Sequence, residues 1–282
     1  MFTLIAENKR GERLNLTESA DYDVLRVEGF TPPTASIGTT VVGTMDGEYF
    51  NSARLNYRNP VITIRPHNPV EKNRLNLYRW FSPKNWVKLY YKTSERDVYA
   101  EGYVESFSGS LFDNPQTFQI SVICPDTYLH DVDTTVLDAS YVTALFEFPL
   151  DVGASGVEMS TYDNTTSVLI TNDSGLDVGM IIQLKASGEV VNPIVYRRDT
   201  LEQFQLNFTM QSGDVIEINT ARGRKSVTLI RDGEETNIIN YIGKNPTWHQ
   251  LLTGDNQFTY GAEKGDILLT ATFVYNTIYE GV

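Results

Sequence analysis

"GDVIEINTARGRKSVTL" runs from Gly213 to Leu229. It reads as a strand, a tight turn at Ala221–Arg224 and a second strand. Short β-prone runs flank a polar, Gly-bearing turn. The same grammar repeats on either side. "YVTALFEFPL" (Tyr141–Leu150), "SVLITND" (Ser167–Asp173), "MIIQLKAS" (Met180–Ser187), "QFQLNFTM" (Gln203–Met210), "SVTLIRDG" (Ser226–Gly233) and "ILLTATFVYN" (Ile267–Asn276) are short runs separated by Asn, Asp and Gly turns. About seven such strands in roughly 140 residues predict a β-sandwich or jelly roll. "PTWHQLL" (Pro246–Leu252) is expected to break the pattern with one helical turn.

Upstream, the pattern changes. "CPDTYLHDVDTTVLDAS" (Cys124–Ser140) opens with a Pro, is polar, and marks the expected boundary, giving domains 1–135 and 136–282. Before it lie strands and one helix. "SADYDVLRVEGF" holds an apolar alternation ending at Gly29, "NPVITIRP" is a strand stopped by Pro66, and "GFTPPTASIGTTVVGTMDGEYF" reads as loop. "NPVEKNRLNLYRWFSP" is expected to be a helix. Asn68 would cap it, Pro69 suits its first turn, and Glu71 suits its N-terminal dipole. Leu75 with Tyr78, and Leu77 with Phe81, would form its apolar face, and Ser82-Pro83 would end it. A long hairpin follows. Val87, Leu89 and Tyr91 alternate with Lys88, Tyr90 and Lys92; "TSERD" turns the chain; Tyr99, Tyr103 and Phe107 return on one expected face. "TFQISVICP" adds a strand with Phe118, Ile120 and Val122 on a common face.

Composition supports a folded β protein. The 282 residues include 16 Tyr and 13 Phe, a load that strands favour. Cys124 is the sole cysteine, so the chain has no internal disulfide and no thiolate zinc site. The first residues lack an apolar core and no run approaches the ~20 apolar residues of a spanning helix, so the expectation is a chain without signal peptide or membrane insertion, folding in a cytoplasm. Net charge is −13 and uneven: residues 1–135 hold 14 Lys/Arg against 17 Asp/Glu, residues 136–282 hold 9 against 19. Such a chain should repel nucleic acid, and the charge also serves solubility.

No catalytic constellation emerges. His67, His130 and His249 lie far apart without metal-ligand spacing. The cluster Asp126, His130, Asp131 and Asp133 is open to two readings, oxygen ligands for a cation or an interdomain turn whose Asp side chains bond local backbone. Neither "GASG" (153–156) nor "SFSGS" (106–110) forms a nucleophile elbow, and Cys124 reads as a buried, inert thiol. The chain is expected to be no enzyme and to need no metal or cofactor. Basic residues cluster at Arg222, Arg224 and Lys225, and along Arg54, Arg58 and Arg65. Each set is either an edge guard or a socket for a neighbour's carboxylate. Tyr57 and Asn59 accompany the second set, and Tyr and Arg are enriched at interfaces. "RWFSPKNW" (Arg79–Trp86) is core packing or an aromatic patch for a partner.

Several segments in order carry a family resemblance: "YRNPVITIRP" (Tyr57–Pro66), "NLYRWFSPKNWVKLYYKTSERDVYAEGYVESFSG" (Asn76–Gly109), "LFDNPQTFQISVICPDTYL" (Leu111–Leu129), the opening hairpin, "NPTWHQLLTGDNQF" (Asn245–Phe258) and "VYNTIYEGV" (Val274–Val282). The chain resembles the siphovirus-type tail components, the distal tail proteins of tailed bacteriophages. The resemblance implies a mainly β protein with two parts. The N-terminal belt domain would be a small barrel-like sheet plus one helix, and the C-terminal part a galectin-like β-sandwich. It implies a homo-hexameric ring at the virion tail tip, assembled in the host cytoplasm. The ring would join the tail tube protein to a hub or fibre protein, with receptor-binding proteins as further partners, and let DNA pass. A closed ring needs head-to-tail contacts, for which Tyr57, Arg58, Arg65, Tyr91, Tyr99 and Tyr103 are the expected interface residues and the hairpin Tyr91–Phe107 the expected edge. The alternative is a carbohydrate- or receptor-binding module acting through Trp248. Against it, His249 and Gln250 flank Trp248 without the Arg and Glu order of sugar-binding galectins.

Overall fold

The computed structural model describes residues 2–43, 46–139, 141–144, 160–163 and 167–282. Two compact units emerge, one from Met1–Asp133 with Ile278–Val282, the other from Thr134–Thr277. The 135/136 division read in the sequence differs in placing residues 278–282 with the second part.

In the first unit the strands are β1 (Thr3–Asn8), β2 (Arg13–Asn15), β3 (Tyr22–Glu28), β4 (Ala35–Thr40), β5 (Tyr49–Leu55), β6 (Val61–Pro66), β7 (Trp86–Lys92), β8 (Asp97–Gly109), β9 (Phe118–Ile123) and β10 (Leu129–Asp131), with helix α1 at Val70–Trp80. One antiparallel sheet runs β2-β1-β7-β8-β9-β6-β3; β10 joins β8, and Ile278–Tyr279 joins β10. The sheet is open, with β2 and β3 at its ends, so the expected barrel-like closure is corrected. Leu4, Ala6, Ile62, Ile64, Val87, Leu89, Val98, Ala100, Ile120 and Val122 line the buried face, with Leu77 and Phe81 from the helix and its end. Period-two alternation puts these residues on one side of the pleat.

A bulge corrects the reading of β8. Pairing with β9 shifts between Val104 and Ser106. The extra residue reverses which side chains face inward. Tyr99 and Tyr103 stay on the face opposite Val98 and Val104, while Phe107 turns toward the core and packs on Phe118 and Tyr78. The helix face is corrected too. Asn73 and Leu77 are buried, whereas Leu75 is 50% exposed. Pro69 stands at the cap and makes no side-chain cap bond. Asn73 instead turns inward and donates to Asp21 Oδ1 and to the His67 carbonyl, both at 3.2 Å.

The stretch read as loop holds a surprise. β4 and β5 pair with each other and, among the described residues, with no other strand. They form a two-stranded arm.

The second unit contains β11 (Thr135–Asp138), β12 (Tyr141–Ala144), β13 (Ser160–Asp163), β14 (Ser167–Asn172), β15 (Val178–Gly179), β16 (Ile181–Ala186), β17 (Val190–Arg197), β18 (Gln203–Gln205), β19 (Thr209–Met210), β20 (Val215–Asn219), β21 (Ser226–Arg231), β22 (Glu234–Asn237), β23 (Gln250–Leu251), β24 (Gly254–Lys264) and β25 (Leu269–Tyr275). One sheet is β11-β25-β16-β20-β21-β22; the other is β14-β24-β17-β18, with β19 also on β17. Ile182, Leu184, Ile216, Ile218, Val227 and Phe273 from the first, and Ile170, Val195, Phe204, Phe258 and Tyr260 from the second, are buried. Phe258 stacks on Phe273 at 5.6 Å, joining the sheets into the expected sandwich. The opening hairpin is β20–β21, with Ile218 opposite Val227. "PTWHQLL" is no helical turn: its Gln250–Leu251 pairs with β15, and short 3-10 turns lie at Ile239–Tyr241 and Asp266–Leu268 instead. The end of the expected strand Tyr141–Leu150, and "GASG", lie outside the described residues.

Candidate assembly surface

The arm gathers several exposed apolar side chains of the first unit. Ile37 pairs with Ala53, and Thr39 with Phe50, after a bulge at Gly38–Thr39. The pleat puts Ala35, Leu55, Ile37, Ala53, Thr39 and Phe50 on one side, while Ser36, Arg54, Ser52, Thr40 and Tyr49 take the other. Ile37 is 57% exposed and Phe50 61%; Tyr49, Val41 and Val42 near the tip are also exposed. An isolated two-stranded ribbon is marginal in water. Both its edges carry unpaired backbone groups, and one face is apolar.

The residues expected at an interface sort differently. Tyr57, at the foot of the arm, is 57% exposed, and Tyr103 is 48% exposed. Arg58 is corrected: it is 1% exposed and turned inward. Its guanidinium donates to the carbonyls of Gly29 (2.5 Å), Thr31 (3.0 Å), Thr127 (3.0 Å) and Glu280 (2.5 Å). Burial lowers its pKa, and four carbonyl dipoles take the place of a carboxylate. Arg54, Arg58 and Arg65 do not share a strand. Arg54 lies on the arm, Arg58 on a single bridge to Cys124, and Arg65 in β6 opposite Asp23. Tyr91 is half-buried and stacked between Phe2 (5.3 Å) and Phe30 (4.6 Å). Tyr99 stacks on His130, and Lys88 Nζ sits 3.6 Å from its ring centre. Burial opposes the Lys88 charge, yet Tyr99, Tyr90 and Glu101 hold its pKa above the ordinary value.

The expected hairpin edge is also corrected. β7 is paired on both sides, by β1 and β8, and β8 by β7 on one side and β9 and β10 on the other. An unpaired side is left beyond Val104, where β8 outruns β7 and pairs with β9 alone. The open margins of the sheet's principal run are β2 and β3, and its side branch ends on Ile278–Tyr279. Sequence reasoning missed the arm because none of the described residues buries either strand, and a pattern test keyed to burial sees only Gly, Pro and Thr.

The remaining candidates are local. His130 bonds Asp126 at 3.0 Å, Asp126 accepts from the Tyr128 amide, and Asp131 accepts from Tyr279 and the Asp133 amide, as in an Asx-rich turn. Among the described residues no three His, Cys, Asp or Glu side chains gather as a metal-binding group. Arg222 lies 3.7 Å from Asp177, both well exposed. Trp80 and Trp86 border an open cleft of about 510 Å³ with Arg10, Asn76 and Arg79. Trp248 is half-buried, edge-on to Phe204 at 4.9 Å. Folding brings Arg197 beside His249 and Gln250, which the sequence order hid. Arg197 is 5% exposed and His249 1%, Arg197 donates to the Gln250 carbonyl, and His249 bonds the Val195 carbonyl. Burial, followed by the nearby Arg197 charge, lowers the His249 pKa. These groups are sealed into the sandwich rather than offered to a sugar.

Residues 173–277 match the family described as siphovirus-type tail component, C-terminal domain. That segment is similar to the family, and the match spans a little over a third of the chain. The structure of the Dit (gp 19.1) protein of phage SPP1, described as a paradigm of the hub adsorption apparatus in phages infecting Gram-positive hosts, superposes with a TM-score of 0.70 at 12% identity, over 99% of both chains. A chain of the phage P2 baseplate, in its activated conformation with Ca, gives 0.56 at 9% identity over 100% of both chains. No curated protein sequence matches. At these identities the two likenesses speak for the fold, along its whole length. With the family match over residues 173–277, they agree with the resemblance that the ordered segments carry. The mainly β architecture is likewise as expected.

Proposed function

We propose that the chain closes into a six-membered ring at the tail tip, between the tail tube and the hub or fibre protein, with a central passage for DNA. The observation that carries this reading is the arm: an amphipathic ribbon with two unpaired edges and an exposed apolar face. Its occupant is a second copy of the chain. β3, at the open end of the main sheet, spans seven residues, β4 six and β5 seven. An arm laid against the β3 margin of the next copy pairs strands of matching length, and such a head-to-tail contact repeats until it closes. Tyr57 at the arm foot and Tyr103 on the sheet are the exposed members of the expected interface set, while Arg65, Tyr91 and Tyr99 contribute through the surfaces they shape.

A net charge of −13 suits a passage that does not hold phosphate. Tail tube protein, hub or fibre protein and receptor-binding proteins are the partners this role requires, with assembly in the host cytoplasm. Electron microscopy of the purified protein at micromolar concentration tests the reading. A six-fold annulus is the expected image, and a field of single subunits at every concentration would refute it.

A further inference from the structure

Arg58 and the segment Ile278–Val282 meet at the root of the arm. The root consists of Gly29–Thr34 on the way out and Asn56–Arg58 on the way back. Its two limbs are tied by the Asn56 amide on the Thr34 carbonyl (2.9 Å) and by Ser36 Oγ on Asn56 Oδ1 (2.7 Å). Residues that follow the second unit in the chain then grip it. The Val282 amide donates to the Phe30 carbonyl at 3.0 Å. Arg58 spans Gly29, Thr31 and Glu280 with one guanidinium. Arg96 donates to the Gly281 carbonyl and lies 4.4 Å from the Tyr279 ring centre, and Tyr279 itself pairs with Leu129. The fit is tight: a Cβ on Gly281 would come within 2.7 Å of Pro32 Cδ and 3.1 Å of the Thr31 carbonyl carbon. A Cβ on Gly29 would come within 2.2 Å of the Asn59 oxygen.

We infer that Arg58 and Ile278–Val282 are a positioning device that fixes the direction of the arm. A guanidinium with no carboxylate among these four bonds, spent on backbone carbonyls of three separate segments, orders those segments relative to one another. The root is therefore incomplete until the chain has been made through Val282, beyond the whole second unit. A chain broken within residues 134–277 can form the core of the first unit and still lack an aimed arm. This rests on the ring reading for its consequence in assembly, and stands apart from it in its geometry.

Gly281→Val and Arg96→Ala test it, because both loosen the grip without touching the core. Amide exchange in the full-length chain is the first readout. Exchange at the donating root amides, Asn56, Arg58 and Val282, should quicken about tenfold, while Ile62, Ile64, Val104 and Ile120 keep their rates. Concentration-dependent sedimentation is the second. The ring-to-subunit midpoint should rise by roughly tenfold with the thermal midpoint unchanged. Unchanged root exchange in both variants overturns the inference. So does exchange that rises equally in root and core, the mark of general destabilisation. A wild-type chain that never forms rings would sink the ring reading alone, and the exchange pattern would still decide this one.

Discussion

Asp214 sits at the start of the hairpin that fixes the sandwich and is almost inaccessible, its side chain 2% exposed. It accepts Arg231 Nε at 2.7 Å, Arg231 Nη2 at 2.6 Å and the Gln211 amide at 2.7 Å. The Arg231 bonds hold its carboxyl below the usual 3.8. A depressed carboxylate stabilises the fold above its unfolded pKa and loses that contribution as pH falls through the folded value. The second unit should therefore weaken below about pH 4. Asp214→Asn should lower its melting midpoint at neutral pH by roughly 5 °C, read by calorimetry; an unchanged midpoint would contradict the pairing. Cys124 has the opposite sign. Burial pushes its thiol from the ordinary 9.0 to about 12. The unfolded thiol ionises first, so stability is full below pH 9.0 and declines toward about 12. At about pH 8 the folded thiol should ignore a disulfide reagent that labels the urea-unfolded chain within seconds. Asp214 directly precedes β20 and Cys124 directly follows β9, two strands that their own alternation revealed, and the buried, inert thiol was readable directly. The Arg58 position was not, since its four carbonyl partners come from segments 27 to 222 residues away.

The arm is an element whose stability in solution depends on what it meets. Ile37→Asp with Phe50→Asp changes two exposed side chains. The melting midpoint should move by no more than about 2 °C, as for surface substitutions. The ring population should collapse, because two charges would enter an apolar contact. Sedimentation and microscopy on one preparation check both halves. A variant that still forms rings removes the arm from the interface. Strands with a buried side were legible: β6, β7, β9, β20 and β21 each alternate. β17 and β24 were missed for definable reasons. β17 carries Pro193, which ordinarily demotes a strand, yet Pro193 sits opposite Ala262 inside the sheet. β24 opens "GDNQ", which reads as turn, although Asn256 is buried and bonds the carbonyls of Leu252 and Gly254.

For the molecule as a whole, charge sets the terms with DNA. At a net −13, it should show no retention on duplex DNA even at about 50 mM salt, where cation–phosphate contacts are strongest. Salt-sensitive binding in a mobility-shift assay would contradict a non-adhesive passage. The sequence by itself determined the β class, the change of character between Cys124 and Ser140, and the single long helix. Each follows from local periodicity, turn residues and composition, which a linear string preserves. Tertiary structure alone decided that the main sheet stays open, that β7 and β8 are interior, that Phe107 turns inward past a bulge, and that residues 278–282 return to the first unit. Those outcomes depend on which distant backbone groups pair, and pairing is settled by the competition among whole segments for one another rather than by any segment's own residues.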